Sequence, residues 1–518
     1  LYINEKWGVR ARTPNLEKNK DIEWLADKRL IKISKGNISQ WKNFNKVEMV
    51  TLNAWTGNHL RLKAFTADSL NAFVSIQKEE ECVFRVAAFA FHGKEYFFEN
   101  AFEFLDSGGE WYLNSTDGYL YYKPRANENM ANAEIIAPVL DPVVKIEGES
   151  FDNSISNISF KGISFMHSNW LRPNNFGNVE MQAAQFFMPD AYSTPGEFTG
   201  RPSAGVLVKN AHHIVFERCL FANMGATGLD FISGTHDNLV IGNVFRDIAG
   251  NGVSFGLTPK ENEVKTTIYR PSDVRKMPVR ETVLNNYFTR VGKDNIGAVG
   301  IMYAYAANMK ISHNEMEDIP YTGISGGWGW DFPRTAMCNN VITNNYIHNY
   351  MNVFYDGGGI YTFSNQPNSL IANNYIENMR VGARGYGWCG LYTDEGTRHM
   401  TVKSNVVEVQ QDEKIGWLCL QSVGQGALEC PVINNYTTST SKNDNKGQPI
   451  VNTHYYPKAD WPKAAREIIS NAGLSAEFKD IKEEKKKLNL NTNQKRPANS
   501  KYPLLPKSRL AQRGQGNY

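Results

Sequence analysis

Eight times along the chain a short apolar segment runs into an Asn, or once a Cys, and then into two more strand-forming residues. The positions are Cys219, Asn243, Asn286, Asn314, Asn345, Asn374, Asn405 and Asn435, in segments such as VIGNVF, VLNNYF, VITNNYI, IANNYIE and VINNYT. From Asn286 onward the spacing stays near 30 residues, and a second strand of the type G-[LIV]-x-[FYT] follows each time. Units this small cannot bury their own apolar faces, so they must stack on their neighbours as a solenoid. Strands of four or five residues without long intervening helices predict an all-β chain, a parallel β-helix. One Asn per coil suits a turn in which the amide bonds the coils above and below. The stacked coils leave a long, stiff side face, a shape that suits an extended carbohydrate.

A solenoid lengthens its core with each coil, so 518 residues need not split into several globular domains. The formal charge of +3 implies no basic surface for nucleic acid. No apolar run approaches the roughly 20 residues of a membrane span. Aromatic residues make up 12% of the chain, and many fall in glycine-rich loops, either as packing or as stacking platforms for sugar rings. The six cysteines form no C-x-x-C pair, which argues against a zinc knot; most read as small buried apolar groups. The chain opens at Leu1-Tyr2-Ile3-Asn4, a strand-like start without Met, which predicts an N-terminus lying inside a module.

Residues 1–149 do not follow the repeat. HLRLKAF, ECVFRVAAF, EWYLN and LYYKP read as strands of an antiparallel β-sandwich-like module, with Asp117-Gly118 turning a hairpin. Residues 150–445 carry the coils, starting from ISNISFKGISF. They are interrupted by a long loop at about 169–202 and an insertion at about 258–279. Residues 446–518 hold WPKAAREIISNA, a helical pattern ending at Gly473 that could cap the open end of the solenoid, and then a polar tail.

Two neighbouring coils carry carboxylates. YDGGGIYT places Asp356 ahead of its strand, and GWCGLYTDEGT places Asp394 and Glu395 at the end of the next. Coils stack about 4.8 Å apart, so Asp356 and Asp394 can share one face, as two-carboxylate glycoside hydrolysis requires. A fully extended strand would hold them too far apart. The run Gly357-Gly358-Gly359 allows a curl that shortens the gap. The bland alternative has Asp356 capping a turn and Asp394 paired with Arg398. One coil earlier, SGGWGWDF offers Trp328 and Trp330 as sugar platforms beside Asp331. His348, Tyr303, Tyr321 and Arg398 are weaker substrate contacts, and Asp230 is a reserve carboxylate. No G-x-S-x-G elbow, P-loop or H-E-x-x-H motif is present.

Residues 98–124 (FENAFEFLDSGGEWYLNSTDGYLYYKP), the opening LYINEKWGVRARTPN, and YTGISGGWGW, YDGGGIYT and GLYTDEG together resemble glycoside hydrolase family 141. The resemblance implies a right-handed parallel β-helix with β-rich accessory modules. It also implies hydrolysis of plant cell-wall polysaccharide, α-L-fucosidase-like on pectic side chains first and xylanase-like second. The family's two aspartates match Asp356 and Asp394. Export to the periplasm or outside is implied as well. The chain therefore reads as a glycoside hydrolase with Asp356 and Asp394 as its catalytic pair, acting on oligosaccharide or polysaccharide without metal or cofactor. Trp328, Trp330, Asp331, Tyr303, His348, Glu395 and Arg398 are its expected substrate contacts. Two rivals stay open: a polysaccharide lyase on the same scaffold, which would want a calcium-binding carboxylate cluster, and a non-catalytic glycan-binding solenoid.

Overall fold

A computed structural model describes residues 1–15, 18–86, 92–189, 199–258, 269–380, 388–410, 415–420, 429–444 and 450–483. Among these residues, three parallel sheets of ten strands each wind into a β-helix. The first sheet runs from Val144–Glu147 through Ile324–Gly326, Gly357–Thr362, Trp388–Thr393 and Ile415–Leu420 to Lys442–Asp444. The second runs from Ser159–Lys161 to Ile450–Val451, and the third from Ser164–Met166 to His454–Tyr455. The rungs thus begin slightly before residue 150 and continue past 445.

In-register pairing puts like residues into columns. Leu229, Val253, Ile301, Ile324, Ile360, Leu391 and Leu418 line up inside the first sheet, all buried. In the third sheet Phe221, Phe245 and Phe288 stack with ring centroids 4.6 and 4.7 Å apart. Each rung repeats the apolar face of the last, so the core grows along the axis.

The Asn ladder does what its spacing predicts. Asn345 Oδ1 accepts from the Asn314 backbone N–H at 3.0 Å, while its Nδ2 donates to the Ile311 carbonyl at 3.0 Å. The same pattern links Asn243, Asn286, Asn314, Asn374, Asn405 and Asn435, all fully buried. Cys219, in the slot at the start of the ladder, donates its N–H to Asn243. None of the six cysteines takes part in a disulfide.

The N-terminal strands form mainly antiparallel sheets, among them the hairpin of Glu110–Leu113 with Leu120–Tyr122 around Asp117-Gly118, whose first strand also pairs in parallel with Val9–Arg10. The helix Lys463–Asn471 departs from expectation in its location. It lies along the outer flank of the third sheet, where Trp461 and Ala465 pack with Tyr375 and Val406. Leu474 and Ile481 continue the cover over Leu220, Val244 and Tyr287. The aromatic and aliphatic outer face of that sheet draws the segment away from the end rung. The polar tail beyond residue 483 lies outside the described residues. No described helix is long and apolar enough to cross a membrane.

Candidate active site

Along the first sheet alternate residues point outward, and the outward column reads Asp230, Ser254, Met302, Ser325, Tyr361, Tyr392 and Cys419. Its early rungs are covered. Arg201 closes on Asp230 through both carboxylate oxygens, and Gln185 lies on Met302 at 3.6 Å. The covering loop also supplies Gln182, buried near the Tyr321 hydroxyl. Beyond that cover stand Tyr361 and Tyr392, with ring centroids 5.1 Å apart and nearly perpendicular.

These two phenols hold the two aspartates. Tyr361 donates to Asp394 Oδ2, and Tyr392 donates to Asp356 Oδ1 at 3.0 Å. The geometric obstacle of an extended strand disappears at the glycines. Two residues of extended strand span nearly 7 Å, whereas a Cβ on Gly358 would lie 3.3 Å from the Ile360 carbonyl oxygen. Asp356 enters this curl with φ 59°, and its carbonyl accepts from the Tyr321 hydroxyl at 2.8 Å.

Burial pushes the Asp356 carboxyl up to about 7, helped by the negative charge of Asp394. Burial raises Asp394 to about 6, while the Tyr361 hydrogen bond pulls the other way. Asp394 therefore ionises first, and its charge keeps the proton on Asp356. Two carboxyls of different acidity, both half-buried, can divide the work of proton donor and anion.

Asp331 joins the same wall. A Cβ on Gly396, in the turn after Asp394, would lie 2.6 Å from the Asp331 carbonyl oxygen. Burial raises its carboxyl to about 6, and Tyr305 donates to it at 3.1 Å. Glu395 is half-buried, which pushes its carboxyl up too. Trp330 is partly exposed and stacks on Phe363 at 4.6 Å, beside Asp394. Arg398 opens the neighbouring strand of the second sheet, its guanidinium 5.5 Å from the Phe332 ring centre.

Four expectations need correction. Trp328 is fully buried beneath Trp330 and Phe363, so it presents no ring face to a sugar. Tyr303 falls on the inward phase of its strand, fills the space above Gly326, and donates to Gln366 at 3.0 Å. His348 lies on the third sheet, 3.2 Å from Glu315, on a different side of the solenoid. Asp230 is buried and saturated by Arg201, so it holds nothing in reserve.

The sequence gives no role to Tyr361, Tyr392 or Gln182, which the structure brings to the site. The tyrosines had a signal, the shared G-[IL]-Y-T of both aspartate-bearing rungs. Gln182 had none, because a loop far away in sequence delivers it. Among the described residues, Glu48, His59 and Glu99 gather ligand atoms within 4.8 Å. Arg10 already bridges both carboxylates at 2.9 and 2.8 Å, and the two glutamates hold His59 in its protonated form. Two cations facing two anions make a charge-balanced joint there, not a metal centre.

Residues 1–125 match the family model described as the GH141 insertion domain, and residues 279–445 match that of the right-handed beta-helix region. Nothing matches among curated proteins. A solved structure described as a glycoside hydrolase is 29% identical, with a TM-score of 0.78, covering 92% of this chain and 80% of that one. A mutant of a periplasmic alginate epimerase matches at 14% identity and a TM-score of 0.32, covering 58% of this chain and 69% of its own.

Proposed function

The chain is a glycoside hydrolase of the family 141 type on a right-handed parallel β-helix, and from that premise we propose that Asp356 is its general acid and Asp394 its anionic partner. The observation that carries the assignment is the crossed pair of tyrosine hydrogen bonds, which holds two carboxyls of unequal acidity on one face. Between about pH 6 and 7 the pair holds one proton, on Asp356. That proton passes to the glycosidic oxygen as its bond to the anomeric carbon breaks. Asp394 meets the positive charge growing on the sugar, as base for the incoming water or as nucleophile. Trp330 offers its partly exposed ring to the sugar, while Asp331, Glu395 and Arg398 stand along the same wall as polar contacts.

The substrate is a plant cell-wall glycan, a pectic side chain ending in α-L-fucose first and a xylan second. A polymer of this kind is met outside the cytoplasm, and there the enzyme acts. A panel of aryl fucosides, xylosides, arabinosides and galactosides, followed by pectic and xylan oligosaccharides, tests the reading. Fucose release supports the first choice, and xylo-oligosaccharide release the second. Unsaturated products absorbing in the ultraviolet would instead mark a lyase. Sugar binding without any cleavage would mark a glycan-binding solenoid.

A further inference from the structure

The insertion domain touches the site through one turn. Strands Glu48–Leu52 and Gly57–Ala67 pair as a hairpin, with Leu52 opposite Gly57. Asn53 stiffens the four-residue turn between them. Its Oδ1 accepts from the backbone N–H of Trp55 at 2.9 Å and of Thr56 at 2.8 Å, and its Nδ2 donates to Thr56 Oγ1 at 2.8 Å.

The turn is then fastened to the solenoid at several points. Tyr355, the residue before Asp356, donates its N–H to the Ala54 carbonyl at 2.9 Å. The Trp55 indole N–H donates to the Met181 carbonyl at 2.8 Å. Glu180 Oε2 accepts from Gly57 at 2.7 Å and from Gly297 at 3.1 Å. A Cβ on Gly297 would lie 2.7 Å from the Trp55 carbonyl oxygen, so the backbones meet without space between them.

In this closely fitted joint every one of residues 47–60 is buried except Trp55. A tryptophan serving only to pack the joint gains most from full burial. Trp55 is only partly buried, with one side packed on the core, while its indole N–H is tied to the Met181 carbonyl, which fixes the orientation of the ring. The bond from Tyr355 to Ala54 seats the turn beside the residue that precedes Asp356 in the chain.

We propose that Trp55 is a sugar-stacking platform on the leaving-group side of the scissile bond, so that the insertion domain forms part of the substrate cleft and helps choose the glycan. The assignment of side rests on Asp356 being the acid, because the acid stands next to the departing oxygen. The aromatic face takes the apolar C–H face of the sugar ring that leaves.

The test compares two substrates of the same reacting sugar, an oligosaccharide and the glycosyl fluoride, whose leaving group is too small to reach Trp55. In Trp55→Ala the ratio of kcat/KM for oligosaccharide over fluoride falls about tenfold or more, chiefly through KM. Trp55→Phe restores most of it. A ratio unchanged from wild type overturns the proposal, even if both rates drop, since a loosened joint would slow the two alike. Calorimetry with the same oligosaccharide, in an Asp394→Asn background with and without Trp55→Ala, reads the platform apart from turnover. Affinity lost with Trp55, in a protein that never cleaves the sugar, would overturn only the catalytic reading. Cleavage with affinity unaffected by Trp55→Ala would overturn only the platform. A wild type that neither cleaves nor binds any member of the panel overturns both.

Discussion

Tyr361 donates its hydroxyl to Asp394 on the following rung, while Tyr392 of that rung donates back to Asp356. The two phenols cross between strands, so each aspartate is held by the strand that does not carry it. The Tyr361 bond stabilises the ionised form of Asp394. The active state has Asp394 charged and Asp356 protonated. The pH profile of kcat/KM is therefore a bell, falling below about 6 as Asp394 gains a proton and above about 7 as Asp356 loses one. Tyr361→Phe moves the acid limb upward by about half a unit or more, narrowing the bell. An acid limb that stays in place would show that Tyr361 does not tune Asp394.

Trp330 and Trp328 are one residue apart and differ in what they face. Trp330→Ala weakens oligosaccharide binding about tenfold or more, whereas Trp328→Ala acts on folding, lowering the melting temperature as a large core truncation worth about 3–5 kcal/mol. Calorimetric titration and thermal melts separate the two. An equal loss of affinity in a Trp328→Phe protein that keeps its wild-type melting temperature would contradict the burial argument.

Removing a rung of the Asn ladder leaves buried backbone groups without partners. Asn345→Ala strands the Asn314 N–H and the Ile311 carbonyl, at a cost of about 2–4 kcal/mol. Asn435→Ala strands the Asn405 N–H and the Val402 carbonyl in the same way and costs about as much. Urea unfolding measures both, and a midpoint unchanged from wild type in either variant would argue against the ladder.

Glu281 takes the place of an amide in a second buried column, accepting from Asn238 N–H at 3.0 Å and from its Nδ2 at 3.1 Å. Burial pushes its carboxyl up to about 7. The folded chain keeps a proton that the unfolded chain releases above about 4.5. Its contribution is thus full below that value and is lost as pH rises toward 7, a loss of up to about 3 kcal/mol. Glu281→Gln removes the dependence, so the gap between melting temperatures at pH 5 and pH 7 narrows. An unchanged gap would place the titration elsewhere.

Much of this was legible because a solenoid converts spacing into contact. A fixed interval between Asn residues makes a buried ladder, and matching rungs bring Asp356 near Asp394. The curl at Gly357-Gly358-Gly359 was readable too, since three glycines permit a fold-back that other residues resist. Phase was harder to read. Whether Tyr303 points inward or outward depends on one residue of strand register, and that choice reversed its role. Trp328 was misread because loop tryptophans look exposed until the strand beneath them is placed. His348 sits in a repeat like the others, but the repeat does not say which of three sheets faces substrate. The C-terminal helix was recognisable, yet its resting place depends on the apolar outer flank of a sheet formed far upstream. Trp55 carried no signal, because only the docked insertion domain brings it to Asp356.

The most direct test of the central claim is kcat/KM for Asp356→Asn across aryl glycosides of graded leaving-group acidity. An acid at Asp356 predicts a loss of several orders of magnitude for poor leaving groups and a much smaller loss for the most activated ones, which depart without a proton. A loss of the same size across the whole series would remove Asp356 from the role of proton donor.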